Sequence, residues 1–158
     1  MARVYVETSI ISYLSARPSR DVVIAAHQAL TRRWWRGRRT YTLVASQLVA
    51  DEAAVGDSGE SAKRLRALVG IPRLAVSPEA TILAGELVRI GALPKRATVD
   101  AFHIAVAAAH QVDYLLTCNC RHLADAKMRS TIEATCRSVG LTPPIICTPE
   151  ELPSGGTT

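Results

Sequence analysis

Glu7, Glu52, Asp100 and Asn119 lie far apart in the chain, yet each falls where an apolar strand hands over to a helix, or near the start of a helix. In an open parallel α/β sheet those places meet in one crevice beyond the carboxyl ends of the strands. Three carboxylates and an amide gathered there repel one another, and a divalent cation is the simplest counter-charge. Oxygen donors with few nitrogens or sulfurs suit Mg²⁺ or Mn²⁺ rather than zinc. The chain carries 19 Lys and Arg against 14 Asp and Glu, a net charge of +5. That balance serves solubility, and it also favours an anionic partner. An acidic pocket in a basic body suits a metal-dependent enzyme acting on a polyanion, with nucleic acid the obvious candidate.

Each residue also has a plainer role. Glu7 follows Val4-Tyr5-Val6, and alone it reads as an acid favoured by the dipole of the next helix. Glu52 sits beside Asp51 about two turns into a helix, and its phase with Leu48 turns it inward; alone it is a solvated helix acid. Asp100 opens the run Ala101-Phe-His-Ile-Ala-Val-Ala-Ala-Ala109, too apolar and small-sided for a surface helix. An acid at its first turn is a cap or a ligand. His103, one turn on, reads as a histidine satisfied within the core, with a hydrogen bond to the site as the alternative. Asn119 follows Leu115-Leu-Thr-Cys118 and is either a turn residue or an oxygen donor beside Thr117. Glu7, Asp100 and Glu52 are the candidate metal ligands. Thr8, Ser9 and Thr117 are candidates to position water or phosphate.

The elements that must position these residues read as short apolar strands alternating with helices. Strands are expected at Arg3 to Val6, Tyr41 to Ala45, Arg73 to Val76, Val112 to Thr117 and Ile145 to Cys147. Thr8 or Ser9 caps a helix over Ile10 to Leu14, and Asp21 to Arg36 shows helical spacing at Val22, Val23, Ala26, Leu30 and Trp34. Ser46 caps a helix through Val55, Gly56 to Gly59 form a turn, and a charged helix runs on to Val69. Ser77-Pro78 opens a helix to Ile90, Thr98 one through Ala109, and Met128 one to Gly140. Thr148 to Glu151 is a capping box for a last short turn. The expected architecture is α/β, a three-layer α/β/α sandwich on a mostly parallel sheet.

At 158 residues the chain fits one domain, expected over 1–152 with a loose tail over 153–158. Hydrophobic residues make up 48%, so the chain is not disordered, while aromatics at 4% leave the core to Ala, Val, Leu and Ile. No segment is long enough to span a membrane and the amino-terminal residues lack a signal-peptide pattern, so a cytoplasmic location is expected. Cys118, Cys120, Cys136 and Cys147 are then reduced thiols. Cys118-Asn-Cys120-Arg-His122 has half the pattern of a zinc site, but no second ligand pair completes it.

Taken together, Val-Tyr-Val-Glu7-Thr8-Ser9, the helix acid Glu52, Asp100-Ala-Phe-His-Ile-Ala and Leu-Leu-Thr117-Cys-Asn119 resemble the motif series of the PIN-domain nucleases. The resemblance runs in order over nearly the whole chain and is nearest to the VapC-type toxins of toxin–antitoxin systems. It implies a Mg²⁺- or Mn²⁺-dependent ribonuclease on a parallel sheet, usually a homodimer, inhibited by a small antitoxin protein. Two positions depart from the family pattern. Glu7 stands where Asp is usual, and Asn119 stands where a fourth Asp is frequent. The longer side chain and the missing charge imply weak binding of a single ion. Asp57 and Asp125 are candidate substitutes, although neither holds a motif position.

The segment Thr31-Arg32-Arg33-Trp34-Trp35-Arg36-Gly37-Arg38-Arg39 brings five arginines and two tryptophans together. It can pair with phosphates and stack on bases. It can equally be a helix end with Trp34 in the core and the arginines solvated, and the family resemblance adds an antitoxin contact. The expected function is hydrolysis of RNA phosphodiesters. The alternative is a weakened PIN-like domain that binds RNA or a protein without cutting. A nucleotide-binding domain is disfavoured, because no Gly-rich phosphate loop follows any strand.

Overall fold

The computed structural model describes residues 1–119, 123 and 125–155. In chain order the elements are β1 (Arg3–Val6), α1 (Thr8–Ser15), α2 (Val22–Arg36), β2 (Thr42–Ser46), α3 (Gln47–Ala53), α4 (Ser58–Ala67), β3 (Arg73–Leu74), α5 (Pro78–Arg89), α6 (Thr98–Ala109), β4 (Tyr114–Leu116), α7 (Ala126–Ser138) and β5 (Ile145–Cys147). Short 3-10 turns precede β2 and α6, at Arg38–Thr40 and Lys95–Ala97.

The five strands form one sheet in the order β3-β2-β1-β4-β5, and every neighbouring pair is parallel. α1 packs against α2, α3 and α4, while α5 packs against α6 and α7, completing the α/β/α sandwich. Parallel strands covered on both faces must be apolar throughout, and Val4, Tyr5 and Val6 are fully buried. α6 is buried along most of its length, from Ala101 and from His103 to Ala108, which its apolar, small-sided sequence requires. Strand order reverses at central β1, so the switch point at which open α/β sheets bind ligands lies between the carboxyl ends of β1 and β4.

Several local expectations are corrected. The cap of α1 is Glu7, whose carboxylate accepts from the Ser9 amide; Thr8 is already helical. Asp57 caps a helix that begins at Ser58, so the turn expected over Gly56 to Gly59 is half helix. Only Arg73–Leu74 pairs in the third strand. The short turn expected over Thr148 to Glu151 is present, with the Thr148 amide donating to Glu151 Oε1 at 3.3 Å. The spacing picked out in α2 holds at Trp34 but fails upstream. Val22 and Val23 are 83% and 64% exposed, whereas Gln28 and Thr31 are buried. Gln28 is drawn inward because it accepts from the Ser19 amide and donates to the Arg17 carbonyl, satisfying the loop before the helix. Among the described residues no helix is long and apolar enough to cross a membrane.

Candidate metal centre

β1 delivers Glu7 to the crevice. Its amide donates to the Leu116 carbonyl at 3.1 Å, so the backbone is still in step with β4 when the side chain turns back over α1. Glu7 is only 4% exposed. Its Oε2 accepts from the Ser9 amide at 3.1 Å, from the Ser9 hydroxyl, and from Thr117 Oγ1 at 2.8 Å. Thr117 is fully buried beyond β4, where its amide donates to the Cys147 carbonyl. Its hydroxyl oxygen also accepts from the Asn119 amide at 2.9 Å, and Ser9 Oγ accepts from the Cys118 amide at 2.8 Å. The loops after β1 and β4 are thus stitched together through two hydroxyls and one carboxylate oxygen. Among the described residues nothing donates to the other oxygen, Oε1.

A second polar chain crosses from β1 to α6 and α3. Tyr5 sits mid-strand with its hydroxyl 2.6 Å from Ser46 Oγ and 2.7 Å from His103 Nδ1. His103 Nε2 lies 2.6 Å from Glu52 Oε1, which also accepts from Thr8 Oγ1 at 2.7 Å. Burial drives the Tyr5 hydroxyl far above the usual phenol range, so it remains a neutral donor. Burial also penalises a charged His103. The hydrogen bond to Glu52 and the neighbouring carboxylates of Glu7, Glu52 and Asp100 outweigh that penalty and raise its pKa. Partial burial opposes ionisation of Glu52, but the bonds from His103 and Thr8 prevail and hold its pKa below the ordinary value. Ser46 makes no cap bond to α3, because its hydroxyl serves Tyr5 instead.

Asp100 occupies the first turn of α6, where the helix dipole favours an acid. Asn119 Nδ2 donates to its Oδ2 at 3.4 Å. One network therefore runs Asp100–Asn119–Thr117–Glu7, and Thr8 links α1 to Glu52. The nearest ligand atoms of Glu7, Glu52 and His103 lie within 4.8 Å of one another. His103 meets that distance, but both its ring nitrogens are already engaged by Tyr5 and Glu52. It stands behind Glu52 as the imidazole that orients a carboxylate. Glu52, like Glu7, has one oxygen held by hydrogen bonds and a second that accepts from none of the described residues. The pinned carboxylate pair of Glu7 and Glu52 is a donor set that fits a hard divalent cation. Asp100 is not among the residues whose ligand atoms gather within 4.8 Å, and it reaches them through Asn119 and Thr117.

Other sequence candidates stand elsewhere. Asp51 is exposed and accepts from Gln47, while Asp57 and Asp125 cap α4 and α7. Arg32 donates to the Ala16 carbonyl at the end of α1, and Arg36 to the Arg32 carbonyl. Arg38 donates to the Trp35 carbonyl, and Arg33 and Arg39 are exposed. Trp34 is 2% exposed and stacks on Tyr41, so it is a core residue rather than a platform for bases. Cys120 and His122 lie outside the described residues. Sequence reasoning missed Tyr5 and Ser46. The one available signal was a tyrosine inside an otherwise aliphatic strand, because a buried phenol needs a partner.

A family model described as PIN domain matches residues 4–127. Among solved structures, VapBC2 from Rickettsia felis, bound to a DNA fragment from its promoter, superposes with a TM-score of 0.54 at 15% identity, covering 92% of this chain and 98% of that one. VapBC-5 from Mycobacterium tuberculosis, a member of the VapBC family of toxin-antitoxin systems, superposes with a TM-score of 0.50 at 16% identity, covering 80% and 93%. No curated protein matches the sequence. At these identities the structural likeness is one of fold.

Proposed function

The chain belongs to the PIN-domain family, and from that membership we propose that it is a divalent-metal-dependent endoribonuclease, the toxin of a VapC-type toxin–antitoxin pair. The observation that carries the reading is the convergence of Glu7 and Glu52 at the topological switch, with Asp100 tied in through Asn119. Glu7, Glu52 and Asp100 would hold Mg²⁺ or Mn²⁺. When bound, the ion lowers the pKa of water and offsets charge on the phosphate under attack. Ser9 and Thr117 fix Glu7 by its Oε2, while Thr8 and His103 fix Glu52 by its Oε1. Both carboxylates therefore present one face without reorganising, which is what electrostatic catalysis requires. No Ser-His-Asp or Cys-His arrangement is needed. The net charge of +5 supports an anionic substrate, and the VapBC complexes among the structural neighbours support a small antitoxin partner. A homodimer and a cytoplasmic location follow from the same reading.

The test is cleavage of a single-stranded RNA by the purified protein. Mn²⁺ or Mg²⁺ should switch cleavage on and EDTA should stop it. Asp100→Asn should lower the rate by more than the roughly 10- to 100-fold that losing an outer-shell partner costs, while the fold stays intact. Removing one of three mutually repelling acids should not lower stability. Undiminished cleavage by that variant would leave Asp100 a helix cap. Absence of metal-dependent cleavage in the parent would leave the chain a binding module.

A further inference from the structure

A second groove opens at the opposite edge of the sheet from the carboxylates. It has a volume of about 440 Å³, and its lining includes Arg38, Arg39, Leu43, Val69, Ile71 and Pro72. Thr42 and Leu43 begin β2, and Ile71 and Pro72 lead into β3, so the groove lies at the amino ends of the strands. The five residues of β2 separate it from the carboxyl edge by about 15 Å.

Its chemistry is one-sided, for no residue lining it is acidic. Arg38 is held in place without a carboxylate: its guanidinium stacks 4.4 Å from the Trp35 ring centroid and donates to the Trp35 carbonyl at 2.7 Å. That stacking leaves the other guanidinium N–H groups for an outside acceptor. Arg39 is exposed and makes no ion pair or side-chain hydrogen bond with any described residue. Val69, 79% exposed, adds apolar surface beside Leu43, Ile71 and Pro72. Guanidinium forks match phosphate oxygens, and an apolar wall between them suits the faces of bases.

We propose that this groove binds the phosphodiester backbone of single-stranded RNA several nucleotides away from the bond cut at the carboxyl edge. The proposal rests on the ribonuclease reading for its ligand and narrows the arginine-rich segment to two residues. Arg32 is committed to the end of α1 and Trp34 to the core.

Two assays separate this proposal from the catalytic one. In the first, fluorescence anisotropy in EDTA follows binding of a labelled single-stranded RNA of about twenty nucleotides, so cleavage is not required. Arg38→Gln/Arg39→Gln should weaken binding and reduce the slope of log affinity against log salt by about 1.4, or about 0.7 per phosphate contact. Arg39→Gln alone, which disturbs no intramolecular contact, should reduce it by about 0.7. In the second, the double variant should raise KM on the long RNA and leave cleavage of a four-nucleotide RNA unchanged. Unaltered affinity and slope in both variants would overturn the groove while leaving catalysis standing. So would equal losses on long and short RNA, or a loss confined to binding a partner protein. A parent protein that binds RNA through Arg38 and Arg39 yet cuts nothing would keep the groove and remove the ribonuclease reading.

Discussion

At the carboxyl edge of the sheet, the His103 imidazole holds Glu52, the Thr117 hydroxyl holds Glu7 and Asp100 accepts from Asn119; at the amino edge, Arg38 stacks on the Trp35 indole beside Arg39, and no carboxylate lines the groove. Each edge gathers groups of one kind: carboxylates at the first, with the His103 imidazole bonded to Glu52, and guanidinium groups at the second. An arginine placed among Glu7, Glu52 and Asp100 would form a strong bidentate pair and occupy the oxygens a cation needs. A carboxylate beside Arg38 and Arg39 would do the same to a phosphate site. The length of a strand keeps the two apart. The contrast teaches that composition alone does not make either edge functional. Glu7, Glu52 and Arg38 differ from ordinary surface charges because their neighbours hold one part of each side chain.

The sharpest way to break the comparison is at the buried tryptophan of the arginine-rich segment. Trp34 is buried and stacked on Tyr41, so Trp34→Ala should cost about 3–5 kcal/mol in urea denaturation. Metal affinity per folded molecule should not change, because Trp34 makes no contact with the carboxylate network. A matching loss of metal binding at temperatures where the variant is folded would mean that the two edges are coupled.

A smaller effect is expected at Tyr5, which joins Ser46 to His103. Tyr5→Phe keeps the ring but strands two buried polar atoms, a cost of about 1–3 kcal/mol. With its imidazole no longer held, Glu52 should lose orientation, and metal affinity should fall by roughly 10- to 100-fold. A variant that loses stability and binds metal as the parent does would reduce the Tyr5–His103–Glu52 chain to a packing device.

What the sequence displayed and what it hid divide along physical lines. Glu7, Asp100 and Asn119 were readable because each interrupts or borders an apolar run, and in a parallel sheet those ends share one edge. Glu52 was readable only through helical phase against Leu48. The partners of His103 were not readable, because a tyrosine 98 positions earlier becomes its neighbour only once β1 and α6 pack together. The buried face of α2 was misread for the opposite reason. Periodicity ranks residues by apolarity, whereas Gln28 is buried by the backbone groups it satisfies and Val22 and Val23 have nothing to pack on. Glu7 rather than Thr8 caps α1 because the chain stays extended one residue past β1.

The central claim is that Glu7, Glu52 and Asp100 form one divalent-cation site. Calorimetric titration of Mn²⁺ into the parent, Glu7→Gln, Glu52→Gln, Asp100→Asn and Arg38→Gln/Arg39→Gln proteins tests it most directly. Asn119 supplies no charge, so the parent should bind one ion weakly. Each carboxylate variant should lose most of that affinity, and the arginine variant should match the parent. Two tight sites in the parent, or undiminished binding in Asp100→Asn, would contradict the account.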